Sequence, residues 1–183
     1  QVVSRAKRAG YDLRPRDLFV EQTVGGLAGL LSRRTESEHA DEQGILGGSV
    51  GLIPIQQWYL SKDPVDISHY NQSLLLSIDK DLPHHLLEEL LHLLVDQHDV
   101  LSCRYSLEGG VWTQHYAHDH PPLERVDLRE VPPTELSARI TSEADAFQRS
   151  LSIETGRVLK AVWLETPSEV ASNRLLLVIH HLA

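Results

Sequence analysis

Two adjacent histidines, His180 and His181, are the residues of this chain whose type and position best suit chemistry. They follow an unbroken apolar run, Leu175 to Ile179, which is typical of a central strand covered on both faces. Because neighbouring side chains of a strand point to opposite faces, a hydrogen bond can hold one imidazole in the interior while the other faces a cleft. Imidazole titrates near neutral pH and therefore suits proton transfer. The alternative is a strand end with two solvated histidines, and the pair alone leaves both interpretations open.

The remaining histidines give weaker signals. Four of them lie along a leucine-rich segment: His84, His85, His92 and His98. We interpret these four as the polar face of a helix. The H-x-x-H-x-H spacing of His115, His118 and His120 could suggest zinc, but no cysteine or spaced carboxylate completes a tetrahedral set of ligands. We therefore predict no metal site.

Composition and charge exclude several classes of protein. The 17 Lys and Arg residues are outnumbered by 26 Asp and Glu residues, which gives a formal net charge of -9. An acidic chain is a poor candidate for binding nucleic acid or an anionic membrane. No apolar run has the length of a membrane span, and the N-terminus lacks the pattern of a signal peptide. The single cysteine, Cys103, is interpreted as a small buried residue, and its isolation predicts a reducing, cytoplasmic location.

Changes in amino-acid composition along the chain predict its domain boundaries. Residues 1–31 have the pattern of small helices, with Gly10 as a helix end and Thr23 as an N-cap. Residues 32–48 combine charged residues and glycines without large apolar side chains, which predicts a linker. Residues 49–183 alternate strand-like and helix-like segments and predict an α/β domain.

The elements of this α/β domain must position the histidine pair. Strands are predicted at 73–78, 111–116, 158–164 and 174–182. Two amphipathic helices are predicted between them, one ending near residue 97 and one over about 132–147. The first of these helices has a wide apolar face: Leu86, Leu87, Leu90, Leu91, Leu94 and Val95.

Several motifs of this domain resemble the condensation and epimerization superfamily of nonribosomal peptide synthetases. Residues 178–183 read V-I-H-H-L-A and resemble the start of the H-H-x-x-x-D-G motif. Residues 53–60 read I-P-I-Q-Q-W-Y-L and resemble the P-I-Q-x-W-F opening motif of epimerization domains, with Tyr59 in place of the commoner Phe. Residues 69–73 read H-Y-N-Q-S and are similar to the next epimerization segment, H-x-N-Q-S. These matches keep their order and spacing over roughly residues 51–183.

The resemblance implies a fold and a reaction. The fold is the chloramphenicol-acetyltransferase-like α/β sandwich, of which residues 49–183 would supply most of the N-terminal lobe. The reaction is the L-to-D epimerization of an aminoacyl or peptidyl thioester at its α-carbon. His181 would be the catalytic residue, and His180 would point inward and support the motif. Trp58, Asn71 and Gln72 are interpreted as packing and loop-fixing residues.

Residues 1–31 resemble the second half of a peptidyl carrier domain. The resemblance implies a 4'-phosphopantetheine arm on a serine that would lie upstream of Gln1. Ser4 is not that serine, because no G-G-D precedes it. The partners implied are a thioester bound to a carrier domain and the neighbouring domains of a synthetase.

The sequence also predicts a fragment. It contains no methionine, begins in a helical pattern and ends in a strand pattern, before the Asp and Gly of the histidine motif and the glutamate that the family uses downstream. We expect the 183 residues alone to be inactive and marginally folded, with Leu175 to Ile179 short of neighbouring strands.

Three functions remain open at this point. The epimerase is favoured by Pro54-Ile55-Gln56 and by Asn71-Gln72-Ser73. A condensation domain, which forms peptide bonds, has the same histidine motif but usually opens with S-x-A-Q and L-W. A domain kept only for docking a carrier would need no catalytic group.

Overall fold

A computed structural model describes residues 1–33 and 46–183. The chain divides into two compact units, Gln1–Gly44 and Ile45–Ala183. The predicted linker, residues 32–48, falls mostly on residues 34–45 and therefore lies largely outside the described residues. Every helix in the described part of the chain is too short or too polar to cross a membrane.

The described part of the first unit, residues 1–33, contains three short helices: α1 (Val2–Arg8), α2 (Pro15–Val20) and α3 (Val24–Arg33). Gly10 adopts a positive φ of 83° after the end of α1, a conformation that glycine tolerates. The hydroxyl of Thr23 accepts the Gly26 N–H at 3.0 Å, so the predicted N-cap is confirmed. Pro15 lies at the first position of α2, where its fixed φ suits the start of a helix.

The second unit contains seven strands and three α-helices. In chain order they are β1 (Ser49–Val50), α4 (Pro54–Leu60), β2 (Asn71–Ile78), α5 (His84–Gln97), β3 (Cys103–Glu108), β4 (Val111–Tyr116), β5 (Leu123–Asp127), α6 (Pro133–Gln148), β6 (Leu159–Glu165) and β7 (Asn173–His180). The mixed α/β class predicted for this region is confirmed. Strands β1, β3 and β5 were not predicted. Strand β1 has only two residues, and the apolar residues of β3 and β5 are few and are interrupted by charges.

Strand β7 lies inside a four-stranded sheet with the order β2-β7-β6-β5. It pairs antiparallel with β2 along its whole length and with β6 on its other side. The expectation that residues 175–179 lack neighbouring strands is therefore wrong. The predicted burial on both faces is confirmed, since Leu175, Leu176 and Val178 are all buried. The strand ends at His180, two residues earlier than predicted, because the chain turns there.

Helices α5 and α6 cover opposite faces of this sheet. Leu91 and Val95 of α5 pack in one cluster with Trp163 and Leu175. Residue Leu136 of α6 packs with Val162, Leu164, Leu176 and Val178 in another cluster. The strand residues of the two clusters alternate along β6 and β7, as the pleat requires. The histidine pair thus lies at the end of a strand that is covered on both faces.

The predicted apolar face of α5 is covered only in part. Leu91 and Val95 are buried, but Leu86, Leu90 and Leu94 are 39%, 51% and 37% exposed. The difference arises because the helix contacts the sheet through a single stripe of side chains, narrower than the apolar face in the sequence.

A smaller sheet with the order β1-β4-β3 completes the unit. Strands β3 and β4 form a hairpin through Gly109 and Gly110, whose φ values of 56° and 81° suit glycine. Residues Cys103 and Tyr105 of β3 are fully buried against α4 and the segment that follows β7. This sheet therefore brings β3 to the residues that follow the histidine pair.

Candidate active site

His180 and His181 separate at the end of β7. The side chain of His180 is fully buried, while His181 is exposed. Their separation follows from the pleat, which directs successive side chains to opposite faces. The structure therefore confirms the predicted placement, in which one imidazole is buried and the other is accessible.

Both ring nitrogens of His180 are hydrogen-bonded within the protein. The Leu182 N–H donates to Nδ1 at 3.1 Å, so Nδ1 must be unprotonated. Nε2 therefore carries the proton and donates it to the carbonyl oxygen of Ile67 at 3.0 Å. These two bonds hold His180 as one neutral tautomer, which leaves it no free nitrogen to act as a base.

The surroundings of His180 lower its pKa below the ordinary value of 6.5. Burial is the main cause, and the nearby His181 acts in the same direction, while the hydrogen bond to Ile67 opposes them. Because the folded state favours the neutral ring, protonation of His180 lowers the free energy of unfolding.

We expect this titration to make the protein less stable in mild acid. The unfolded chain binds the proton near pH 6.5 and the folded chain binds it only at lower pH, so stability is fully present above about pH 6.5. The free energy of unfolding should fall as the pH drops from there toward the folded pKa. Urea unfolding of the wild type and of His180→Gln, measured between pH 7.5 and 5, checks this. A wild type that lost no stability relative to the variant would contradict it.

Two tyrosines bracket the histidine pair. The hydroxyl of Tyr59 donates to the Ile67 carbonyl oxygen at 2.9 Å, the same oxygen that accepts from His180. The Tyr59 and Tyr70 rings stack with centroids 4.6 Å apart, and the His181 ring lies 4.4 Å from that of Tyr70. Burial, followed by Asp66 and Tyr70, raises the pKa of Tyr59, so its hydroxyl stays a neutral donor. The tyrosines thus hold the inner imidazole and limit where the outer one can lie.

The exposed side chain of His181 borders a cavity of about 420 Å³. The other lining residues are Gln72, Ser73, Leu74, Leu177, Ile179, His180 and Ala183. The volume lies within the range of small-molecule sites, and the lining combines apolar side chains with a few polar groups. Of the residues described around this cavity, His181 is the exposed side chain that carries an imidazole, the group most often used as a general base.

A buried glutamine fixes the turn that follows the pair. Nε2 of Gln56 donates to the Tyr105 hydroxyl oxygen at 3.0 Å and to the Leu182 carbonyl oxygen at 2.9 Å. The Tyr105 hydroxyl donates to the same carbonyl at 2.8 Å. Sequence reasoning assigned neither residue a role at the site. The resemblance of Gln56 to the P-I-Q motif was a signal that could have identified it, whereas nothing local to Tyr105 indicated such a contact.

The other residues named from the sequence occupy different places. Trp58 is 55% exposed and contacts Lys62, so the interpretation that it is a packing residue is wrong; it lies on the outer side of a short surface helix. The side-chain amide of Asn71 donates to the Gln148 carbonyl oxygen at 3.1 Å, which confirms a loop-fixing contact. Gln72 lies in β2 and lines the cavity.

The histidines whose spacing could suggest zinc contact different partners. His115 contacts the Thr113 hydroxyl at 3.1 Å, and His120 contacts the Asp96 carboxylate at 2.6 Å. Within residues 1–33 and 46–183, no three histidine, cysteine or acidic side chains are arranged to hold a metal ion.

The chain is similar to known peptide synthetases. The model of the condensation domain family matches residues 48–183. Linear gramicidin synthase subunits C and B of Brevibacillus parabrevis are each 37% identical to this chain over its entire length. Surfactin synthase subunit 2 of Bacillus subtilis (strain 168) is 34% identical, again over the entire chain. The chain spans only 2%, 4% and 5% of these three proteins.

Solved structures share the fold over about three quarters of this chain. The epimerization domain from the third module of tyrocidine synthetase B superposes with a TM-score of 0.69 and 28% identity, covering 76% of this chain and 32% of that one. A starter condensation domain of rhizomide synthetase has a TM-score of 0.62 and 16% identity, covering 74% of this chain and 33% of that one. At such low identity the second likeness concerns the fold alone. The predicted chloramphenicol-acetyltransferase-like α/β fold is therefore supported by both kinds of domain.

Proposed function

Because the chain belongs to the condensation domain family of nonribosomal peptide synthetases, we propose that residues 49–183 are part of an epimerization domain. Such a domain inverts the α-carbon of an aminoacyl or peptidyl thioester from L to D. The observation that carries the proposal is the position of His181, exposed on a cavity at the end of β7 while its neighbour is buried. The 28% identity to an epimerization domain supports this reaction over peptide-bond formation.

The proposed reaction begins with proton transfer from the α-carbon to the imidazole of His181. The electron pair left on the α-carbon is delocalised onto the thioester carbonyl oxygen. A second acid on the opposite face then delivers a proton to the α-carbon and inverts the centre, and His181 releases the proton that it took to the solvent. Atoms are conserved, since one proton leaves and one returns. His180 does not take part in the transfer, because both its nitrogens are already hydrogen-bonded.

The polar and apolar groups that line the cavity suit those of the arm that would carry the substrate. A 4'-phosphopantetheine arm has amides and methylene groups, and the lining offers the amide of Gln72 and the hydroxyl of Ser73 beside apolar Leu177 and Ile179. When bound, the arm presents the substrate as a thioester, which acidifies the α-proton. His181 then has only to approach that proton, while Tyr70 limits the positions of its ring.

We also propose that residues 1–31 are the second half of a peptidyl carrier domain, whose attachment serine would precede Gln1. Two observations support this. The three short helices are consistent with a small helical domain, and synthetases align with the entire chain although the condensation model starts only at residue 48. The partners would then be a carrier-bound thioester and the neighbouring domains of a cytoplasmic synthetase.

A condensation domain is the second candidate, and the match to the condensation family model favours it. In that reaction an amine attacks a thioester carbonyl carbon, the C–N bond forms as the C–S bond breaks, and His181 would accept the proton from the amine.

The test uses the full-length protein and a carrier-bound aminoacyl thioester with deuterium at its α-carbon. We expect deuterium to be replaced by hydrogen from the solvent and both stereoisomers to be recovered after hydrolysis. Label that is retained while a dipeptide forms would overturn the epimerase and support condensation. If neither reaction occurs and His181→Ala changes nothing, the domain serves only for docking.

A further inference from the structure

The turn that follows the histidine pair is held by hydrogen bonds on every side. His181 donates its backbone N–H to the Tyr70 carbonyl oxygen at 2.7 Å, and the next N–H, of Leu182, donates to the His180 ring. The Leu182 carbonyl oxygen accepts from both Gln56 and Tyr105. The backbone on either side of His181 is therefore fixed, while its side chain lies exposed at the cavity beside Tyr70.

The last of these contacts is a closed triangle of hydrogen bonds. Gln56 donates to Tyr105 and to Leu182, and Tyr105 donates to Leu182, so each polar atom of the triangle has a partner. Gln56 is 5% exposed and Tyr105 is fully buried. Burial raises the pKa of Tyr105, with Cys103 acting in the same direction, so its hydroxyl keeps the proton that it donates. Neither side chain can reach a substrate in the cavity.

The amide of Gln56 has two separable functions. Its Oε1 accepts the Ile53 N–H at 3.0 Å, which caps the start of α4. Its Nε2 is directed the other way, to Tyr105 and Leu182. The orientation of the amide is determined by these partners, since a flipped amide would place its oxygen against the Leu182 carbonyl oxygen. A glutamate at this position would keep the cap and lose the two donors.

We infer that Gln56 and Tyr105 are positioning residues for His181, an inference that rests on the proposed proton-transfer function of that histidine. They act by holding the Leu182 carbonyl, which sets the path of the chain on which His181 lies. Because a small misplacement of a catalytic group strongly reduces the rate, loss of the triangle should lower turnover more than substrate binding.

The test measures kcat and KM of the full-length protein in the deuterium-loss assay. We expect Tyr105→Phe and Gln56→Glu to reduce kcat about 10-fold to 100-fold with KM changed by less than about 2-fold. Gln57→Glu is the matched control, because the side chain of this neighbouring glutamine is exposed and its amide donates to the Leu52 carbonyl oxygen at 2.8 Å, away from the triangle. Its kcat should equal that of the wild type. Wild-type kcat in both test variants would overturn the inference.

A second measurement distinguishes a local loss of positioning from general destabilisation of the fold. It also does not depend on which reaction the protein catalyses. Amide hydrogen exchange at Leu182 should accelerate about 10-fold in Tyr105→Phe, while exchange in the core of β7 stays unchanged. Equal acceleration at both places would mean general destabilisation and would overturn the inference. If the wild type forms peptide bonds and loses no deuterium, the epimerase proposal fails and the same kcat ratio is measured for bond formation. If the wild type catalyses neither reaction, the proposed function fails and the positioning inference, which rests on it, fails with it.

Discussion

Replacing His181 by alanine is expected to reduce α-proton exchange on a carrier-bound thioester by about 10²- to 10⁴-fold, the usual contribution of a positioned general base. The physical reason is that His181 is exposed on the cavity, whereas His180 has both nitrogens engaged. The loss should appear in kcat, because the imidazole interacts with a proton that moves only in the transition state. The measurement is the rate of deuterium loss by the full-length protein.

A matched control for this variant is His85→Ala. His85 is an exposed histidine on α5 and contributes nothing to the cavity lining. Its exchange rate should match that of the wild type. If His181→Ala kept the wild-type rate while circular dichroism showed an intact fold, the base would have to be another group and the proposed mechanism would be wrong.

Replacing His180 by alanine is expected to lower the free energy of unfolding by about 3 to 5 kcal/mol. The substitution leaves a cavity beneath Tyr59 and Tyr70 and leaves the buried N–H of Leu182 without its acceptor. The Ile67 carbonyl is less affected, since the Tyr59 hydroxyl still donates to it. Equilibrium urea unfolding followed by circular dichroism measures the change.

The matching surface variant is again His85→Ala, which should change the free energy of unfolding by less than about 0.5 kcal/mol. His180→Gln, with one amide donor and one oxygen acceptor, should recover part of the stability that the alanine variant loses. A His180→Ala protein as stable as the wild type would show that the two ring hydrogen bonds contribute nothing to the fold. Replacing His181 should therefore change the reaction rate, whereas replacing His180 should change the stability of the fold.

Periodic apolar patterns were sufficient to predict much of the α/β unit. The strand β7, the helix α5 and the helix α6 are long and strongly patterned, and each was found within a few residues of its predicted position. Strands β3 and β5 escaped prediction because their burial depends on neighbours and is not visible as a pattern. The exposure of Leu86 and Leu90 could not be predicted either, since it depends on how much of α5 the sheet covers.

At the site, sequence patterns were sufficient to predict the histidine pair, its strand and the opposite directions of its two side chains, because the pleat is a local property of the backbone. The identity of the inner histidine was inferred from family resemblance, and the tertiary structure alone placed His180 against Ile67. Only the tertiary structure could assign Gln56 and Tyr105 to the Leu182 carbonyl, across 126 and 77 positions of the chain. Such contacts depend on which strands and helices become neighbours, and no local pattern of residues encodes that.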